Sequence, residues 1–546
     1  MVTFDDGRDD DETFHPLGEQ WQDDLEEALE DTEYDADLGM EMAKDAMRVT
    51  KGELSEETFN ERYRDDVLEE FGEDGEALAE EMESKDGGYV EGALSAVGAG
   101  EDSRRDVMKK MGGAGAVGLG AWGAAGGNDG PSSPVPAQDD QQEADEPDDA
   151  NGEGTQYGMT LDLEHCDGCL SCVVACAEEH DWDQGANWMY VLAYEDDTVS
   201  SPPADDFDST EDFEYLIRPC QHCTDAPCEK VCPTTARHTR DSDGLVLTDY
   251  DVCIGCRYCQ VACPYGVNYF QWEEPEVGED ELDEDHMYDV RDRPVSARGP
   301  RGVMEKCTFC PTRNDGSLGE EMVGTTACED ACPPEVIQFG NMNDPNSDPQ
   351  RYNNNTAKSR TLVRTAGNLP SLEEFEETID GEDEEIDAVI DAVEDLDEEM
   401  VGLLLAIYIV GEDGEPEGDE SSSLAEQEAE AMEYVEALAD HGIDLEDEDL
   451  LLEFDLAEEP DDDEEFDGAS EDLAQEVLDD FAGDVESRFK LLEDVGTDPN
   501  IIYLGNEPGP DAEQVEGPVA YDSVDQTDNR KDVLDEGTVG PDGPSI

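Results

Sequence analysis

Apolar residues recur at helical spacing in separate stretches of this chain. Near the start, Leu25, Leu29 and the stretch from Leu38 to Val49 fall three and four residues apart. Gly52 interrupts that pattern, and Ser55 is placed to cap a helix running to Phe71. Residues 1–100 therefore read as an acidic, mainly helical region without a chemical motif. Helical spacing returns downstream at Ile386, Val389, Ile390, Val393 and Leu396, at Met432, Val435 and Leu438, and at Leu473, Val477, Phe481 and Val485. The apolar run from Leu403 to Val410 is too short for a bilayer and reads as buried core. No stretch is expected to span a membrane, so if the protein works at one, a partner must hold it there.

Between these regions the pattern breaks down. Ser103-Arg104-Arg105-Asp106-Val107-Met108-Lys109 leads into a Gly/Ala-rich, uncharged run from Met111 to Gly127. Paired arginines, an apolar residue two positions on and a weakly apolar stretch resemble a twin-arginine export signal. Residues 101–127 are assigned to it, which favours the outer face of the cell membrane, the cytoplasmic face being the alternative. The Pro/Asp/Gly/Gln-rich residues 128–156 read as a linker.

Charge changes the picture. Asp and Glu number 152 against 30 Lys and Arg, a formal charge of −122 over 546 residues. Such self-repulsion suits either a disordered acidic chain or a folded one in concentrated salt, where screening is short-ranged. The acidity extends through the segments with apolar periodicity, which favours a halophilic protein. No Lys or Arg occurs from Thr365 to Ser487, read as an acidic helical insertion, the alternative being a docking module for a partner subunit. Nucleic acid is not an expected partner, since phosphate binding needs basic patches.

Cysteine placement carries the chemistry. All 16 cysteines lie between Cys166 and Cys332. Disulfide scaffolds are short secreted chains with cysteines spread throughout, whereas clustered thiols indicate metal. The first quartet is Cys166, Cys169, Cys172 and Cys176; the second is Cys220, Cys223, Cys228 and Cys232, followed by Pro233. The third is Cys253, Cys256, Cys259 and Cys263, followed by Pro264; the fourth is Cys307, Cys310, Cys328 and Cys332, followed by Pro333. Three thiolates on a tight loop can reach different irons of one cubane. The fourth, on a starting helix, turns away and ligates the neighbouring cluster. A tetrahedral zinc needs four ligands, commonly as two pairs, and has no use for a triplet with a remote fourth. No CxxCH for covalent haem occurs.

The second and third quartets stand 20 residues apart, leaving the first to pair with the fourth. The expected ligand sets are Cys220, Cys223, Cys228 with Cys263; Cys253, Cys256, Cys259 with Cys232; Cys166, Cys169, Cys172 with Cys332; and Cys307, Cys310, Cys328 with Cys176. Four [4Fe–4S] clusters follow, and a wire for single electrons. A self-contained enzyme is disfavoured: no cysteine remains as nucleophile, and no nucleotide fingerprint or His/carboxylate metal motif appears.

These residues resemble the iron–sulfur subunit of molybdopterin oxidoreductases, as found in dimethyl sulfoxide, polysulfide and tetrathionate reductases, and the ferredoxin subunit of formate-dependent nitrite reductase. The resemblance rests on C-Q-H-C-T-D-A-P-C from Cys220, C-I-G-C-R-Y-C-Q-V-A-C-P-Y-G from Cys253, E-K-C-T-F-C from Glu305, F-G-N-M-N-D-P-N-S from Phe339 and L-L-E-D-V-G-T-D-P-N-I-I-Y-L from Leu491. It implies an α+β fold with a duplicated bacterial ferredoxin-like domain over 157–356, closed by a segment within 487–546 after an acidic helical insertion at 357–486. It also implies two partners, a molybdopterin catalytic subunit and a quinone-interacting membrane subunit. His222, Arg257 and Lys306, beside the cysteines, either support the loops or raise a cluster potential. His165 and His180 are expected at the surface.

Overall fold

The computed structural model describes residues 19–30, 32, 34–72, 154–182, 186–195, 214–278, 281–282, 284–411, 422–458, 460, 466–483, 485, 487–509, 512–515 and 517–527. The twin-arginine-like segment and nearly all of the linker lie outside them.

Three helices open the described chain: α1 (Glu19–Glu30), α2 (Ala36–Thr50) and α3 (Glu56–Phe71). Asp35 caps α2 by accepting the Leu38 amide at 3.0 Å, and Ser55 caps α3 by accepting that of Thr58 at 3.2 Å, as its sequence position indicates. Their buried residues, Leu29, Met42, Phe59 and Val67 among them, belong to the same hydrophobic core as the cysteine region. Gly39 of α2 shows how close the approach is. A Cβ there would lie 2.6 Å from the Tyr258 ring, between two cluster-loop cysteines.

The cysteine region is built on β1 (Tyr157–Asp162) and, after it, α4 (Ser171–His180), β2 (Tyr190–Glu195), β3 (Glu214–Arg218), α5 (Pro227–Lys230), β4 (Arg237–Thr239), β5 (Val246–Thr248), α6 (Tyr258–Ala262), β6 (Tyr269–Phe270), β7 (Met304–Glu305), α7 (Ala327–Asp330) and β8 (Ile337–Asn341). The chain then forms helices α8 (Asp348–Asn354), α9 (Thr356–Thr365), α10 (Leu372–Ile379), α11 (Ile386–Ala392), α12 (Glu398–Val410), α13 (Ser423–His441), α14 (Glu448–Glu453) and α15 (Glu471–Ala482), before β9 (Arg488–Phe489), β10 (Ile501–Leu504) and β11 (Glu513–Val515).

The largest sheet has strand order β8-β1-β10-β9. Its central strands β1 and β10 run parallel, with Met159 opposite Ile501, while β8 and β9 are antiparallel to their neighbours. All six β1 residues are buried, as both faces are covered. A second sheet, β11-β2-β3, and the short antiparallel pairs β4-β5 and β6-β7 complete the named sheets among the described residues.

Between β8 and β9 the chain leaves this sheet and returns to it. The helices in between bury a second core of Phe375, Val389, Val401, Leu404, Val435 and Leu478, among others. Leu403 to Ile407 lie within it, as their apolar run indicates. Glu428 of α13 is paired with Arg351 and Lys358, both at 2.9 Å, while most other acidic residues of these helices face solvent. Among the described residues no helix is long and apolar enough to cross a membrane.

Candidate iron–sulfur centres

The cysteine loops are shaped by backbone that few residues adopt. Gly168 and Leu170 in the first quartet have φ of +63° and +63°; Gly255 and Arg257, at the same places in the third, have +72° and +67°. Alternating left-handed residues turn successive N–H groups to one side, making a concave nest for anionic sulfur. Glycine is required at the first of these positions, where a Cβ would strike the Tyr215 ring in one loop and the Gly302 carbonyl in the other.

The thiols are brought together across the quartets. Cys166 is influenced by Cys332 and Cys169, and Cys172 by Cys166, Cys332 and Cys169. Cys176 lies in the field of Cys307, Cys310 and Cys328 instead of that of its own loop. Cys223 meets Cys220, Cys228 and Cys263; Cys256 meets Cys232, Cys259 and Cys253. All sixteen are free thiols. Among the described residues no three His, Cys, Asp or Glu side chains converge tightly enough to hold one bare ion. The thiols instead border spaces. Cys166, Cys169, Cys172 and Cys332 line one of about 280 Å³, and Cys232, Cys253, Cys256 and Cys259 line another of about 310 Å³, both open in part to solvent.

Three pairs of thiols, each in the other's field, place the groups in series: Cys172 with Cys328, Cys307 with Cys220, and Cys228 with Cys259. The two solvent-bordering spaces thus belong to the two ends of the series. At one end Cys166, Cys169 and Cys332 are partly exposed, whereas the other thirteen cysteines are buried. At the other end the N-terminal helices form a wall: Arg257 donates to the Ala28 carbonyl at 2.7 Å and Tyr258 to that of Asp35 at 2.6 Å.

Burial pushes the thiols up, Cys232 to about 12 and Cys307 and Cys332 to about 11, against backbone N–H donors that pull them down. Metal must therefore displace protons from them on binding. Val336 and Ile337 supply such donors to Cys332, Tyr265 and Val267 to Cys263, and the Arg237 amide reaches Cys232 Sγ at 3.2 Å. N–H groups aimed at ligand sulfur stabilise the added electron and raise the potential.

The residues singled out beside the motifs have distinct surroundings. His222 stacks on Phe309 at 3.9 Å; its Nδ1 accepts the Val246 amide at 3.0 Å, so Nε2 carries the proton toward the Cys307 carbonyl at 3.1 Å. The imidazole is a buried strut, and burial beside Lys306 holds it neutral. Lys306 is itself buried and donates to the Val246 and Cys307 carbonyls. The Arg257 guanidinium packs against the rings of Phe270 and Trp272, with centroids at 4.1 and 3.9 Å, and secures α1.

One expectation is corrected. His180 is not at the surface: it is 2 % exposed, with Nδ1 2.5 Å from the Ser296 carbonyl and Nε2 3.3 Å from Cys310 Sγ. As the last residue of α4 it faces inward because that helix packs on α7. Its partner, Ser296, lies 116 residues away and is invisible to local pattern. His165 is half-buried between Asp162 and Arg364. Two residues escaped the sequence reading altogether. Trp182 donates its indole N–H to Cys176 Sγ at 3.3 Å, and Arg237 lies beside Cys259. A buried cation five residues after a ligand cysteine, in a chain with so few cations, was the available signal for Arg237.

Comparison with known proteins agrees with this chemistry. Residues 15–78 match the N-terminal region of 4Fe–4S ferredoxin iron–sulfur binding proteins, and residues 211–281 match a 4Fe–4S dicluster domain. A protein of Halobacterium salinarum described as a dimethyl sulfoxide reductase iron–sulfur subunit is 41% identical over 202 residues, 36% of this chain and 71% of the relative. The iron–sulfur cluster-binding subunit of a menaquinone reductase from Nitratidesulfovibrio vulgaris is 36% identical over 211 residues, 35% of this chain and 77% of the relative. The iron–sulfur subunit of a Shewanella arsenate respiratory reductase is 36% identical over 213 residues, 35% of this chain and 84% of the relative. The cysteine groups fit [4Fe–4S] clusters, and the chain belongs to the family of iron–sulfur electron-transfer subunits of the molybdopterin oxidoreductases.

Proposed function

We propose that this chain is a four-cluster wire in which each cysteine triplet is completed by the last cysteine of another quartet. In order along the wire, the clusters are held by Cys166, Cys169, Cys172 and Cys332; by Cys307, Cys310, Cys328 and Cys176; by Cys220, Cys223, Cys228 and Cys263; and by Cys253, Cys256, Cys259 and Cys232. The observation that carries this reading is the set of thiol neighbours, in which Cys176 lies with the fourth quartet and Cys332 with the first. The clusters, when bound, supply one-electron carriers. The chain's own residues hold them, direct N–H groups at their sulfurs and exclude water from the middle of the series.

The wire links a molybdopterin catalytic subunit to a quinone-interacting membrane subunit. The family relation supports this, as does the partly exposed end at Cys166, Cys169 and Cys332, where a partner can approach. The protein is held at the membrane by that partner, on the outer face if the twin-arginine-like segment directs export. The repeated φ pattern of the first and third loops supports a duplicated ferredoxin-like domain, and the departure from and return to one sheet supports an acidic helical insertion at 357–486. The charge of −122 and a relative from Halobacterium salinarum support a halophilic protein.

Substituting Cys332 by Ser tests the swap. The signal lost or altered should be that of the cluster held by Cys166, which Cys166→Ser also removes. Matching spectra from Cys332→Ser and Cys307→Ser would contradict the assignment.

A further inference from the structure

We infer that Arg237 is a positioning residue for electron transfer, a fixed positive charge shared by the third and fourth clusters of the series that raises both reduction potentials together. This rests on the ligand sets proposed above and adds to them a residue that is not a ligand.

Arg237 begins β4 and is 1% exposed. Its backbone N–H points at Cys232 Sγ at 3.2 Å, and its Nη2 lies 3.7 Å from Cys259 Sγ, both ligands of the fourth cluster. Cys228 and Cys220, assigned above to the third cluster, are with Cys259 the thiols whose charges act most on the guanidinium, so its field reaches both ligand sets. In a chain with 152 acidic residues, the charges that act most on this buried arginine are those of thiols, not carboxylates.

Its hydrogen bonds point the same way. Nη2 is anchored on Asn268 Oδ1 at 2.8 Å, while Nε and Nη1 are buried without a protein acceptor. Buried donors left unmet oppose folding, so these call for an acceptor. The residue lines the space bordered by Cys232, Cys253, Cys256 and Cys259, which a cluster would occupy. Lys306, another buried cation near thiols, spends its protons on the Val246 and Cys307 carbonyls instead.

The electrostatics follow from the charge. Reducing a cluster adds one negative charge, and a cation a few ångströms away in a dry interior stabilises that state. Arginine keeps its charge throughout the accessible pH range and presents a planar fork that can serve two acceptors at once. One guanidinium between two anionic centres also weakens the repulsion that an electron on one exerts on an electron entering the other.

The test is a potentiometric titration of the anaerobic, iron-loaded full chain, followed by electron paramagnetic resonance, with iron content measured on each sample. Arg237→Gln is expected to keep full iron, to lower two of the four potentials and to leave the other two in place. Four unchanged potentials, or a fall confined to one cluster, would overturn the inference. Should Arg237→Gln load iron poorly, Arg237→Lys decides. A compact ammonium cannot span both thiol sets, so at least one of the same two potentials falls, and two unchanged potentials overturn the inference. An error in the ligand sets is separable, because it shows in the cluster number and in the cysteine variants before Arg237 is touched.

Discussion

Arg360 holds Asp162 by a two-pronged ion pair, Nε to Oδ2 at 2.7 Å and Nη2 to Oδ1 at 2.8 Å, with both side chains buried. The pair fastens α9, at the start of the second core, to β1 at the centre of the main sheet. Tyr352 adds a hydrogen bond to the same carboxylate at 2.9 Å. Burial opposes ionisation of Asp162, but the His165 hydrogen bond and the Arg360 charge outweigh it and hold the carboxyl well below the usual carboxylate range. Arg360→Met leaves a buried carboxylate with reduced compensation, and a cost of about 3–5 kcal/mol is expected. Because the folded-state value is depressed, the stabilisation is complete above the unfolded carboxylate value of about 4 and is lost as pH falls through the folded value. Thermal melts of wild type and Arg360→Met between neutral and acid pH check this: the gap between them should narrow on acidification.

The N-terminal helices are placed to protect the buried end of the wire. Gly39→Val puts methyl groups where the Tyr258 ring lies, and relief requires α2 to lift from α6. Faster loss of one cluster's signal in air is expected, with the other three decaying as in wild type. Equal decay of all four clusters would show that these helices do not shield that site.

Much of this arrangement is legible in the sequence, for physical reasons. Ser55 marks its helix because a cap needs only its own neighbours, and the first three quartets stand out because their cysteines are closely spaced. What escapes is long-range. The parallel pairing of Met159 with Ile501 joins segments separated by more than half the chain. The burial of His180 depends on Ser296, and the packing of α2 on α6 rests on one small residue, Gly39, opposite Tyr258. Arg237 lay near a motif, but its surroundings depend on Cys259, which folding brings within 3.7 Å of its Nη2.

Trp182 offers a change confined to one cluster. Its indole N–H is directed at Cys176 Sγ at 3.3 Å, and Trp182→Phe removes the donor while keeping most of the aromatic bulk. One hydrogen bond fewer to a ligand sulfur favours the oxidised state. A single potential, that of the cluster assigned by our proposal to Cys307, Cys310, Cys328 and Cys176, should fall in a redox titration. Unchanged potentials would show that this donor does not tune the cluster.

Salt dependence follows from the charge of −122. The stretch from Thr365 to Ser487 has no cation of its own, so screening by dissolved salt must replace internal pairing. The melting temperature of the iron-loaded protein should rise steeply as KCl goes from tenths of molar to molar. A flat profile would contradict the halophilic reading.

The most direct test of the four-cluster wire is the metal content of the full chain purified without oxygen. About sixteen irons and about sixteen acid-labile sulfides per chain are expected from four cubanes. About four zinc ions with no labile sulfide would be the content of four tetrahedral thiolate sites, and would contradict the wire.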